Sequence, residues 1–357
     1  MLFIVFGHSL TFFPGLLSVN TTAVEQLPLA GGISVFVGII YAVCILFKMS
    51  SMPALLMVSG YGMRKRPFSD GVARWGQELV RRYFVTMIFT VLLNCTLHYL
   101  VFRYLPGAIK ESLKVFGGMA LGLTKTTAFG NVTLFANGSA WYLLALFWAL
   151  VVFNLILNKV EEKKMPYVVI AISIVGWLLS FVKYTPWCIS QGLVGVFYIY
   201  LGYYIKKEKF FLKEFSFGKK VLYVSFVVIP GLVFSALGLG MNMADDVYSL
   251  GPVTYIENGL FGIFFLYLSL KANVFKGRIS GVVRIVGRYS LYVMCVHSVE
   301  MIAIPWYLLV ERFADRPVLG FVLLYISRLI VIAIGVFIII KIAKMMNTAK
   351  KKKKTQA

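Results

Sequence analysis

Long apolar blocks recur along the whole chain and limit what it can fold into. Most are about 17 to 25 residues long, the length of helix that crosses the hydrocarbon core of a bilayer. Of the 357 residues, 60% are hydrophobic and only 14% are charged, which excludes a water-soluble fold. The sequence therefore predicts an all-α, polytopic membrane helix bundle with about ten transmembrane helices. The ten spans lie near 1–19, 35–62, 83–102, 141–158, 167–183, 187–205, 221–240, 253–270, 289–310 and 319–340.

The basic residues predict how these spans are oriented. The net charge is +22, and 27 of the 36 Lys and Arg residues lie in one set of alternate connections, against seven in the other set. Such an asymmetry marks the cytoplasmic side, so we predict that both termini are cytoplasmic and that the partner of this charge is the lipid bilayer, not nucleic acid. The basic tail at 341–357 is expected to lie against anionic lipid, and 1–340 to form one transmembrane domain.

Five ionisable residues fall inside the predicted spans, where charge is expensive and usually functional. His8 and His297 both lie roughly 10–12 Å from the cytoplasmic end of their helices, at 1.5 Å per residue. Glu300 stands one turn beyond His297 on the same face, where it could orient the imidazole. Lys48 and Arg328 fall near the middle of their spans.

Structural interpretations of these residues stay open. A lone histidine on an apolar helix is often a packed residue with one hydrogen bond, which applies more to His297 than to His8. Lys48 and Arg328 either neutralise Glu300 or contact a substrate. The four cysteines lie within spans at unrelated spacings, so no metal site is predicted.

Five segments, in order along the chain, resemble the membrane acyltransferase family called acyltransferase 3. They are Phe3-Ile-Val-Phe-Gly-His8-Ser9, Ser51-Met-Pro-Ala-Leu-Leu-Met-Val-Ser-Gly-Tyr61, Arg81-Arg82-Tyr83, Ser139-Ala-Trp141-Tyr142-Leu-Leu-Ala-Leu146 and Gly287-Arg-Tyr-Ser-Leu-Tyr-Val-Met-Cys-Val-His297. The chain departs from the family pattern at Ser51, where a histidine is usual, and at Leu79, where an arginine is usual. These departures bear on donor contacts more than on the fold.

The resemblance implies transfer of a short acyl group from cytoplasmic acyl-CoA to a hydroxyl of a cell-envelope sugar or polysaccharide. Acetyl-CoA is the expected donor, a glycan or lipid-linked sugar the acceptor, and a bacterial cytoplasmic membrane the location. The family's central catalytic histidine lies in the first helix and matches His8. The sequence carries no feature that predicts an oligomeric state.

General chemistry suggests roles for the other candidate residues. A sugar hydroxyl is a weak acid, so a general base must take its proton, and the imidazole of His8 suits that task, with His297 and Glu300 beside it as catalytic candidates. Trp141 and Tyr142 could stack on a sugar ring, although interfacial aromatic residues are common in membrane proteins. A basic set brackets the cytoplasmic entrance, where it could bind the CoA phosphates or simply anchor the bundle. This set is Arg64, Lys65, Arg66, Arg81 and Arg82.

A second class of function stays open: a transporter or flippase of an envelope precursor that uses the intramembrane charges as proton or substrate sites. Such a protein would be expected to carry paired broken helices in two similar halves, which this sequence does not show. The acyltransferase interpretation is therefore favoured.

Overall fold

The computed structural model describes residues 2–13, 50–182, 184–237, 239–272 and 277–355, and this part of the chain is mostly helical, with very little strand. The helices are α1 (Leu2–Leu10), α2 (50–61), α3 (Phe68–Trp75), α4 (Arg81–Phe102), α5 (Leu105–Leu121), α6 (Trp141–Lys159), α7 (Met165–Leu179), α8 (Ile189–Lys207), α9 (Phe217–Tyr223), α10 (Ile229–Ala236), α11 (Pro252–Ala272), α12 (Arg278–Arg288), α13 (Ser290–Ala303), α14 (Tyr307–Arg312) and α15 (Pro317–Thr355). The predicted all-α fold is confirmed.

Six helical segments of the described residues are long and apolar enough to cross a membrane. They are Phe68–Phe102, Gly138–Lys159, Pro186–Lys207, Phe217–Phe234, Pro252–Ala272 and Pro317–Met345. Each contains or overlaps one of the ten predicted spans, so a multi-pass membrane protein is supported. The count of ten and the cytoplasmic termini stay predictions.

Two predicted spans differ from the helices at the same positions. The span 167–183 corresponds to α7, which has only 15 residues. The span 289–310 is interrupted, because α13 ends at Ala303, Ile304 is extended and Pro305 follows. A residue before proline is pushed out of the helical region and proline has no N–H to donate, so the chain turns there before α14 begins. The span 35–62 lies mostly outside the described residues, and 1–19 extends beyond them.

Helix α6 runs through the centre of the bundle. In its most apolar stretch, 78% of the residues are buried. The corresponding share is 22% in each of the two segments that contain α4 and α15. Helices α7 and α8 pack beside it, and α2 approaches α8 closely at two glycines. A Cβ on Gly60 would collide with the carbonyl of Ile199, and one on Gly202 with the carbonyl of Met57. Small residues let membrane helices pack backbone to backbone in this way.

The connections between helices gather at two ends of the bundle. At one end, which we call the basic end, the Lys206 ammonium lies 5.9 Å from the centre of the Tyr61 ring, and Lys207 pairs with Glu162. At the opposite end, the Tyr184 hydroxyl donates to the carbonyl of Leu121 at 2.6 Å. These groupings agree with the alternation of charge along the sequence.

Two short hairpins cover the opposite end. Strand β1 (Thr127–Phe129) pairs antiparallel with β2 (Val132–Leu134), and β3 (Met241–Asn242) pairs with β4 (Val247–Tyr248). Asp246 joins the second hairpin to the start of α8 by accepting hydrogen bonds from Ser190 Oγ and from Gln191 Nε2 at 2.8 Å. Burial raises the pKa of Asp246 to about 6, while the hydrogen bond from Ser190 and the charge of Lys125 act in the other direction.

Candidate active site

Helix α13 places His297 and Glu300 one turn apart in the interior of the bundle. The Nδ1 atom of His297 lies 2.7 Å from Oε1 of Glu300, and the two side chains are 0% and 1% exposed. The i, i+3 spacing brings both onto one helix face, as the sequence indicates. Glu300 therefore fixes the plane of the imidazole ring.

Arg328 of α15 neutralises Glu300 across the helix interface. Its Nη2 atom donates to Oε1 at 2.9 Å, and its Nε atom lies 3.1 and 3.2 Å from the two carboxylate oxygens. Trp306, just beyond α13, donates its indole N–H to Oε2 at 2.6 Å. Because a buried carboxylate needs both charge compensation and hydrogen bonds, these contacts explain how Glu300 is accommodated inside the bundle.

Helix α1 carries His8 into the same cluster. The ring centres of His8 and His297 are 5.4 Å apart, and His8 is half-buried. The next residue, Ser9, accepts from Nη1 of Arg328 at 3.3 Å and donates to the carbonyl of Val5 at 2.8 Å. Helices α1, α13 and α15 thus assemble one polar centre, with α1 and α13 both packed on α15.

The arrangement is suited to proton transfer. When the Glu300 carboxylate accepts from Nδ1–H, neutral His297 keeps its lone pair on Nε2. This Nε2 atom is buried and has no hydrogen-bond partner among the described residues. A carboxylate that orients an imidazole in this way is a recurrent element of acid–base sites. The same described residues bring together no cluster of three or more His, Cys, Asp or Glu side chains that could hold a metal ion.

Sequence reasoning missed two members of this cluster. Ser9 appears in the first motif but carries no charge, so nothing marked it as a partner of Arg328. Trp306 lies beyond Pro305, where the helix has ended and helical periodicity no longer predicts which way a side chain points. A buried carboxylate offers about four acceptor sites, so the available signal was that Glu300 needs a donor besides His297 and Arg328.

The basic residues predicted for the donor lie at the basic end, and Arg82 contacts the helix that carries His297. Its guanidinium lies 5.0 Å from the centre of the Tyr292 ring, and Tyr292 is five residues before His297 on α13. The backbone carbonyl of Arg66 accepts from Asn158 at 2.9 Å, which holds that connection against α6. Three members of the set have exposed side chains; these are Arg64, Lys65 and Arg81.

A large cavity also opens at the basic end. Its volume is about 1460 Å³, and residues of α2, α8, α11 and α12 form most of its wall. Four basic residues line it, namely Lys206, Lys209, Lys271 and Arg284. The sequence marked these residues only as indicators of orientation.

Two other predictions concern the aromatic pair at the start of α6 and the lysine of the second predicted span. Trp141 and Tyr142, at the start of α6, are 3% and 5% exposed and belong to the central apolar core. Their contact with a sugar stays a prediction. Lys48 lies outside the described residues, so its partner is also a prediction.

Comparison with family models gives a match. The family model of acyltransferase 3, described as an acyltransferase domain, matches residues 1–340. No curated protein and no solved structure matches the chain.

Proposed function

The chain belongs to the acyltransferase 3 family, and from this premise we propose that it is a membrane-bound O-acyltransferase. It moves a short acyl group, with acetyl as the expected case, from acyl-CoA to a hydroxyl of a cell-envelope sugar or polysaccharide. The observation that carries this proposal is the polar centre, in which the His8 ring lies beside an imidazole held by a paired carboxylate. Such a centre supplies the acid–base chemistry that acyl transfer needs.

In the proposed mechanism, His8 is the general base. It takes the proton of the acceptor hydroxyl as the hydroxyl oxygen attacks the thioester carbon. The new carbon–oxygen bond forms, the carbon–sulfur bond breaks, and the imidazolium returns its proton to the departing thiolate of CoA. His297 positions His8, because Glu300 and Arg328 fix the His297 ring against which His8 lies.

The donor is proposed to enter from the basic end, which faces the cytoplasm of a bacterium in this proposal. Acyl-CoA carries several phosphate charges that favour Arg and Lys at its binding site. Arg82 supports this route, because its guanidinium contacts Tyr292, which is on the helix that carries His297 and precedes that histidine by five residues.

Radiolabelled acetyl-CoA tests the proposal directly. Membranes that contain the protein are expected to transfer label to a sugar-containing glycan or lipid, and control membranes without the protein are not. A transporter or flippase of an envelope precursor would leave no label on the sugar. Absence of label with acetyl-, propionyl- and succinyl-CoA alike would contradict the proposed function.

Reversal of Arg81 and Arg82 together to Glu is expected to raise the KM for acetyl-CoA about tenfold or more and to change kcat less. Phosphate contacts mainly supply binding that the ground state and the transition state share, and a hydrogen bond to a charged group contributes about 1.5–3 kcal/mol. The measurement is initial rate against acetyl-CoA concentration in membranes.

The matched control for this pair is reversal of Lys271 and Arg284, which line the large cavity at the same end. This control changes the net charge of the basic end by the same amount and is expected to leave the KM for acetyl-CoA nearly unchanged. An unchanged KM in the Arg81 and Arg82 variant would instead assign those residues to membrane anchoring.

A further inference from the structure

A smaller cavity lies on the side of the polar centre that faces away from the basic end. Its volume is about 380 Å³, within the range of roughly 300–1,000 Å³ that is usual for ligand pockets. The outer turns of α4, the helix α5, the connection after β2 and the turn at Pro305 form its walls. It is therefore at the opposite end from Arg82 and the large basic cavity.

This cavity shares its walls with the polar centre. Trp306 lines it and donates to Glu300 at 2.6 Å, and Phe12 lines it while its ring lies 5.8 Å from the Arg328 guanidinium. Met301 also lines it and follows His297 by four residues, which is one turn on the same helix face. A molecule in the cavity would thus lie one helical turn from His297.

The lining combines aromatic rings with a small number of polar groups. Four aromatic side chains border the cavity, namely Phe12, Phe135, Trp306 and Tyr307. Glu111 and His98 add polar groups, and Glu111 is paired with Lys114 at 2.6 Å. Aromatic faces pack on the apolar faces of a sugar ring, and a carboxylate or imidazole hydrogen-bonds its hydroxyls.

His98 is the polar group most in need of a ligand. Its Nδ1 atom is buried, and the described residues provide it with no hydrogen-bond partner. A buried polar atom without a hydrogen-bond partner destabilises the protein, so such atoms are uncommon and call for an explanation. A hydroxyl group bound in the cavity would supply the missing hydrogen bond.

We infer that this cavity, which we call the acceptor cavity, binds the sugar ring whose hydroxyl is acylated, with His98 and the aromatic walls as its recognition groups. The inference rests on the proposed function and adds the location of the acceptor. It follows that donor and acceptor enter from opposite ends of the bundle. They meet at the pair of His8 and His297. On α13, His297 lies between Tyr292 on the donor side and Met301 on the acceptor side.

Cysteine modification tests the inference. Ala136→Cys places a thiol in the wall of the acceptor cavity, and Val132→Cys places one on exposed β2 of the same connection, outside the cavity. Spheroplasts are treated with a membrane-impermeant sulfonatoethyl methanethiosulfonate, and their membranes are then assayed with radiolabelled acetyl-CoA. Transfer by the modified Ala136→Cys protein is expected to fall at least tenfold relative to the same variant left unmodified.

The controls separate the possible outcomes. Transfer by modified Val132→Cys, and by treated wild type with its native cysteines, is expected to change less than twofold relative to the untreated proteins. Mass spectrometry verifies that both introduced thiols are modified. Full transfer by modified Ala136→Cys would overturn the acceptor cavity. If the untreated wild type transfers no label, the proposed function itself fails, which is a distinct result.

A second pair of variants addresses His98 without a reagent. His98→Leu is expected to lower transfer at least tenfold while leaving the KM for acetyl-CoA unchanged, since only acceptor binding is affected. Thr96→Val, on an exposed face of the same helix, is the matched control. Equal transfer by His98→Leu and wild type would contradict the role of His98, and a raised KM for acetyl-CoA would place His98 on the donor side instead.

Discussion

Replacement of His8 with Ala is expected to lower acyl transfer roughly 10²–10⁴-fold, the usual contribution of a general base. The amount of protein in the membrane is expected to change little. His8 is only half-buried, so removal of its ring leaves a smaller defect than removal of a core side chain. The measurement is label transfer per unit of protein, with the amount of protein determined by immunoblot. The midpoint of thermal unfolding in detergent gives the stability of the variant.

Two further variants sharpen this prediction. His8→Gln keeps much of the size and a hydrogen bond but accepts no proton at neutral pH, so it is expected to be as inactive as His8→Ala. His297→Ala removes a fully buried ring and leaves Glu300 with fewer hydrogen bonds, so it is expected to lose stability and activity together. Near-normal transfer by His8→Gln would exclude the general-base role.

The depth of polar residues within apolar helices was readable from the sequence. Counting 1.5 Å per residue from the predicted cytoplasmic ends of their helices predicts that His8 and His297 lie at one level, and their rings are 5.4 Å apart in the structure. The i, i+3 spacing likewise predicts the contact of His297 with Glu300. Of the two interpretations of Arg328, the structure contains the pairing with Glu300.

Contacts that depend on packing between helices were not readable in the same way. Trp141 and Tyr142 begin an apolar helix, and hydropathy alone does not distinguish a helix at the centre of the bundle from one that faces lipid, because both are apolar. The acceptor cavity joins residues of α4, α5 and the turn at Pro305, and two of them, His98 and Tyr307, are 209 positions apart. No local periodicity connects such distant segments.

The largest loss of stability is expected where one partner of the buried ion pair is removed. Arg328→Met keeps much of the side-chain length but leaves the Glu300 carboxylate without its cation, inside a bundle where both groups are at most 1% exposed. Loss of one partner from such a pair destabilises a protein by about 3–5 kcal/mol, because the remaining charge stays buried. We expect a clearly lower midpoint of thermal unfolding in detergent and less protein in the membrane.

The double variant Glu300→Gln, Arg328→Met separates stability from catalysis. It leaves no uncompensated charge, so we expect the midpoint of unfolding to return most of the way toward that of the wild type. Transfer activity is expected to stay low, because a neutral amide in place of the carboxylate orients His297 more weakly and provides no charge to stabilise an imidazolium beside it. Recovery of both stability and activity would show that the pair serves only to pack α13 against α15. If stability instead fell by the sum of the two single losses, the two side chains would not be energetically coupled, contrary to the contacts that join them.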